Sequence, residues 1–151
     1  MSLEAAQILV DAYVRETRSN DVSSEIRTTP FRYWVSLTDG TGASEAQISW
    51  SDSRTLASGS ESLTLTGISD TRDGAAVTVA FSAVKAVVVK NTHPTLSVTF
   101  SGAFTAWPLK PNGMVVIVDP SADGVTGNTL TVSGGAGVTY DIIVIGEGTV
   151  T

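Results

Sequence analysis

The sequence predicts an all-β chain: an antiparallel β-sandwich, of which a jelly roll is one form, preceded by an N-terminal extended arm or strand. Three observations carry that expectation. Apolar residues recur at every second position over much of the chain. Clusters of Gly, Asn, Asp and Pro interrupt those runs every ~8–12 residues. Charged residues make up only 16%, and the surplus of Thr, Ser and Val suits strands and turns better than helices.

The chain has 151 residues, a length that fits one domain with a single core. Residues 1–38 are expected to form the arm and first strands, packing on the same domain or on a neighbour, and 39–151 the sandwich core. In the segment 2–18, Ser2 is a candidate helix cap with Glu4 in the first turn, yet Ile8, Val10, Ala12 and Val14 alternate. Alternation favours a strand or an extended arm. Residues 25–37 give a second long run with Phe31, Tyr33 and Trp34, in which Pro30 points to an edge position or a bulge.

Four half-buried strands follow: Ser62-Leu63-Thr64-Leu65-Thr66, Val77-Thr78-Val79-Ala80-Phe81, Thr95-Leu96-Ser97-Val98-Thr99-Phe100-Ser101 and Thr129-Leu130-Thr131-Val132-Ser133. Asp39-Gly40-Thr41-Gly42, Asp73-Gly74, Pro111-Asn112-Gly113, Asp123-Gly124 and Gly134-Gly135-Ala136-Gly137 supply the stops. Residues 84–89, 114–118 and 142–145 are apolar on both faces. In a two-layer sandwich each strand keeps one outer face, so these three runs predict a second buried surface against another subunit. The residues expected there are Val87, Val89, Val115, Ile117, Ile143 and Ile145.

Fifteen acidic against nine basic residues give a net charge of −6 without a basic cluster, so neither nucleic acid nor a membrane surface is an expected partner. There are no cysteines, which excludes disulfides and thiolate chemistry. The start, Met1-Ser2-Leu3-Glu4, does not look like a secretory signal.

His93 is the one histidine and sits in the turn Asn91-Thr92-His93-Pro94, so it reads as a loop residue; a multi-histidine metal site and a Ser-His-Asp triad are both out of reach. Asp70, Asp73, Asp119 and Asp123 have the residue type of paired catalytic carboxylates or calcium ligands, but each falls in a turn phrase where aspartate serves the local backbone. The glycine-rich 134–137 stretch lacks the following Lys-Ser/Thr of a phosphate loop and reads as a hairpin. Trp34, Trp50 and Trp107 are candidates for a sugar-stacking platform, set against a role as core or interface anchors. No catalytic residue, metal or cofactor is expected, and the chain reads as a binding and assembling protein rather than an enzyme.

One set of phrases occurs in a familiar order: Asp39-Gly40-Thr41-Gly42-Ala43; Trp50-Ser51-Asp52-Ser53-Arg54-Thr55-Leu56-Ala57-Ser58-Gly59; Glu61-Ser62-Leu63-Thr64-Leu65-Thr66-Gly67; Val84-Lys85-Ala86-Val87 with Asn91; Ser101-Gly102-Ala103-Phe104; and Val138-Thr139-Tyr140-Asp141-Ile142-Ile143-Val144-Ile145-Gly146. Over about residues 39–146 the chain resembles a family of small structural proteins from the virion-assembly regions of tailed bacteriophages and prophages. The first 38 residues match that pattern poorly. The resemblance implies a virion component made in the bacterial cytoplasm, with capsid decoration or cementing as the preferred role and a tail- or fibre-associated receptor- or carbohydrate-binding role behind it. Its implied partners are further copies of itself, as a trimer, and the major capsid protein or another virion protein.

Overall fold

The computed structural model describes residues 3–19, 24–102, 106–125 and 127–151, with the backbone alone at 16–19 and 24–29. Ser2, weighed above as a helix cap, and Ala103-Phe104 of the family-like pattern lie outside the described residues. The described chain is all-β with antiparallel sheets. It divides into two compact units, Gln7–Ser36, and Leu37–Thr151 together with the chain up to Ala6.

The smaller unit is a two-stranded sheet of β1 (Ala5–Ser19) and β2 (Ser24–Thr38). At a rise of ~3.4 Å per residue each strand runs about 50 Å. The alternating Ile8, Val10, Ala12 and Val14 thus form a strand and not a helix.

Among the described residues the larger unit holds nine strands in two sheets. The first orders β4 (Ser60–Thr64), β10 (Thr129–Gly134), β7 (Val98–Ser101) and β8 (Trp107–Leu109). The second orders β3 (Ile48–Thr55), β11 (Thr139–Val150), β6 (Ala75–Asn91) and β5 (Ile68–Arg72), and β9 (Met114–Val118) pairs with the far half of β6. β6 is long enough to carry two partners on one edge: β5 opposite Ala75 to Val79 and β9 opposite Ala86 to Lys90. One core joins the sheets. Leu63, Val98, Phe100, Leu109, Leu130 and Val132 come from the first, and Ile48, Trp50, Val79, Phe81, Val87, Val89, Tyr140, Ile142 and Val144 from the second.

The ladder between β6 and β11 slips twice. Ile145 faces Ala86 while Gly146 faces Val84, and Glu147 faces Ala83 while Gly148 faces Phe81. Lys85 and Ser82 are therefore the extra residues of two bulges, devices that bend a strand and re-aim a side chain. Opposite them glycine is required: a Cβ on Gly146 would strike the Ala83 carbonyl, and one on Gly148 the Ala80 carbonyl.

The bulges also revise the expectation of a subunit interface at Val87 and Val89. Val79 and Phe81 face the core on odd positions, Val84 faces it on an even one, and Val87 and Val89 face it on odd positions again. The bulge at Lys85 switches which parity faces the core within the run 84–89, so Val84, Val87 and Val89 all turn inward, with Ala86 enclosed as well. Val87 and Val89 are fully enclosed in the chain's own core and present no surface to a neighbour.

Candidate assembly surface

The apolar surface of the smaller unit is its main chemical feature. On β1, Leu9, Tyr13 and Val14 are exposed, and on β2 Phe31, Tyr33 and Trp34, the last at 64%. Arg32 donates from Nε and Nη2 to the Asp11 carboxylate at 3.2 and 2.8 Å, which places Asp11 and Arg32 on one face. By alternation Leu9, Tyr13 and Trp34 share that face, and Val14, Phe31 and Tyr33 lie on the other. Both faces of the ribbon are thus apolar. Of these six, sequence reasoning singled out only Trp34 as a site residue. The signal for the rest was large apolar residues at both odd and even positions of one run.

In the larger unit the remaining interface candidates sit at different depths. Val115 and Ile117 are partly buried and pack against the core, Ile145 is buried, and Ile143 is exposed at 42%. The three tryptophans do not share one fate. Trp50 lies in the core at 2% exposure, which removes it from any sugar platform, because its inward position on β3 faces the opposite sheet. Trp34 and Trp107 are exposed.

Two polar clusters hold this unit's shape. Arg54 on β3 binds the carboxylate of Glu61 on β4 in the opposite sheet and, at 2.7 Å, Asp52; the Tyr140 hydroxyl donates to Glu61 Oε2 at 2.9 Å. The Arg54 guanidinium holds the Glu61 carboxyl below its ordinary range, ahead of the opposing effect of burial. Burial first, and the bond to Glu61 second, push the Tyr140 phenol upward. The cluster ties one sheet to the other.

The second cluster surrounds Lys85, whose side chain is fully buried. Its Nζ donates to the carbonyls of Ser121 and Ala122 at 2.6 and 2.5 Å and lies 2.7 Å from Glu147 Oε1. The approach to Oε1 is an ion pair off the hydrogen-bond direction, so the ammonium's directed bonds go to the two carbonyls. The bulge aims this lysine at the loop 119–124, which is further fastened by Asp119 N to Lys85 O at 2.9 Å and Val125 N to Val84 O at 2.6 Å. Neither Lys85 nor Glu147 was singled out from sequence. Their signal was a lone charge inside an apolar run on each of two neighbouring strands.

The turn residues serve the backbone locally. Asp119 accepts from the Ser121 amide at 3.0 Å, and hydrogen bonds from Ser121 lower its carboxyl. Asp70, expected in a turn, lies instead within β5 opposite Val77, where it accepts from Thr71 N and pairs with Arg72 at 2.9 Å. Asp73 takes a left-handed turn conformation at φ 52°, and Asp123 is exposed. His93 Nδ1 accepts from the amides of Thr95 and Leu96 at 3.2 and 2.9 Å, while the buried Asn91 side chain donates to Leu96 O and Leu109 O. Among the described residues no cluster of three or more His, Asp or Glu side chains has the arrangement of a metal site. A depression of about 210 Å³ beside Phe81, Val84 and Val125 carries a single carboxylate, Asp123, and two wider, more open ones of about 480 and 500 Å³ lie beside Trp50 and Arg72 and beside Ser53 and Ile143.

Comparisons with protein-family models, with curated proteins and with solved structures give no match to this chain.

Proposed function

We propose that this chain is a non-enzymatic structural protein of a bacteriophage virion, a decoration or cement protein that forms trimers on the major capsid protein and stabilises the head. The observation that carries the reading is the ribbon of β1 and β2, with large apolar side chains exposed on both faces. A two-stranded ribbon is marginal in water without a third layer. Burying one such side chain contributes about 1.5–3 kcal/mol, so six of them clamped between neighbouring subunits supply a substantial contact. Repetition over a shell multiplies that contact without any single one being tight. The ordered phrases from Asp39 to Gly146 support the virion context.

Imaging of intact particles tests this directly. The expected result is copies on the outside of the head with the ribbon enclosed by neighbouring subunits. Copies confined to the tail tip, or a ribbon standing free in solvent in the assembled particle, would refute it. The rival reading, a tail- or fibre-associated carbohydrate binder, retains Trp34 and Trp107 as stacking surfaces and requires glycan binding that is lost on Trp34→Ala or Trp107→Ala.

A further inference from the structure

β9 has an open outer edge. It pairs with β6 on one side, and among the described residues no strand pairs with the other. The phase of the ladder identifies which backbone groups face outward. Asn91 N donates to Gly113 O at 2.9 Å, and Asp119 N donates to Lys85 O at 2.9 Å. Residues 113, 115, 117 and 119 therefore turn their amides and carbonyls toward β6, and Met114, Val116 and Val118 turn theirs away. Edge strands are ordinarily shielded by a charge, a proline or a bulge. Met114-Val115-Val116-Ile117-Val118 contains none of these.

Charge at the two ends of this edge is opposite in sign. Between Leu37 and Thr151 the sequence holds five lysines and arginines. Arg54, Arg72 and Lys85 are ion-paired. The other two, Lys90 and Lys110, are exposed and both flank the Met114 end, Lys90 directly opposite Met114 in the ladder. At the Val118 end stand Asp119 and the exposed Asp123.

We infer that β9 is a self-pairing edge: two copies of this chain join β9 to β9 antiparallel about a two-fold axis at Val116, extending the five-stranded sheet into one continuous sheet. That register pairs Met114 with Val118 of the second copy and Val116 with itself, using the outward backbone groups in about six hydrogen bonds. It lays the lysine end of one strand over the aspartate end of the other. Parallel pairing would stack like charge on like charge, so the charges select the antiparallel form. Met114, Val116 and Val118 meet on the outer face, and Val115 and Ile117 extend the core across the junction. The pairing is isologous and closes after two copies. It is independent of the virion reading and of the ribbon.

Sedimentation equilibrium of the full chain over a wide concentration range tests the inference. Away from the capsid, on which the proposed trimer forms, wild type is expected to show a reversible monomer–dimer equilibrium. Val116→Pro removes an outward amide and no bond to β6, and is expected to leave a folded monomer. Lys110→Glu is expected to weaken the dimer by at least about ten-fold, and Lys110→Glu with Asp123→Lys to restore it. If Val116→Pro loses its circular dichroism spectrum, the charge-reversal pair decides alone. A chain that is monomeric throughout, a dimer indifferent to the charge reversal, or one abolished by Trp34→Ser on the ribbon would overturn the inference.

Discussion

Replacing Lys85 by Met removes the cation from a buried site while keeping the stem that fills it. The Ser121 and Ala122 carbonyls lose their donor, and Glu147, at 9% exposure, loses its counter-charge. Removing one partner of a buried ion pair costs about 3–5 kcal/mol, chiefly because the other charge stays buried alone. That is a large part of the ~5–15 kcal/mol that stabilises an ordinary domain. Glu147→Gln takes away the stranded charge, so the double variant is expected to recover about 2 kcal/mol of the loss, a coupling within the range of touching residues. Urea unfolding followed by circular dichroism gives both numbers from the midpoints, provided the slope is unchanged. Hydrogen exchange at the Asp119 amide, which bonds Lys85 O, reports whether the loop 119–124 opens with the pair. A single-variant loss below about 1 kcal/mol, or additivity of the two changes within about 0.5 kcal/mol, would show that the cluster does not fasten the loop.

Four further outcomes are expected. Glu61 has a lowered carboxyl pKa in the folded chain, so its contribution is complete above the ordinary value of 4.5 and is lost as pH falls through the lowered one; Glu61→Gln should flatten that acid limb in a melting-temperature profile. Tyr140 is shifted the other way, so its contribution is complete below 10.0 and declines as pH rises beyond it, and Tyr140→Phe should remove that alkaline limb while costing about 1 kcal/mol at neutral pH. Gly146→Ala drives a Cβ into the Ala83 carbonyl and should lower stability by about 3 kcal/mol in denaturant melts, whereas Trp34→Ser on the exposed ribbon should stay within about 0.5 kcal/mol and, under the proposed virion role, reduce retention on particles instead.

The sheets were legible in sequence because period-2 patterning is set by which face meets the core, and Leu63, Val98, Phe100, Leu130 and Val132 obey it without interruption. Asp119 was legible for a similar reason: its work is local, and Ser121, two positions away, completes it, whereas Asp70 lies in β5 and not in the turn its neighbours suggest. What sequence could not show depends on partners far along the chain. Lys85 meets Glu147 and the 121–122 carbonyls only after three segments come together, and Trp50 differs from Trp107 only in which side of a strand the opposite sheet covers. The interface expectation at Val87 and Val89 failed where the period itself was broken. The apolar ribbon is half visible: Trp34 stands out by its type, whereas its neighbours at both parities signal a strand without saying that both of its faces stay exposed.

The two extra residues in β6 behave like a pair of compensating frameshifts. Ser82 moves the inward set from odd to even positions, Lys85 moves it back, and β11 opposite keeps Tyr140, Ile142, Val144 and Val150 on even positions throughout. Deleting either residue alone would turn Val87, Val89 and Asn91 outward, or Val79 and Phe81, at one stroke. Deleting both would leave every one of them in phase. The strand therefore tolerates change in length only in matched steps, and a chain that kept Lys85 for its loop would have to keep a second insertion, of almost any small residue, to stay in frame.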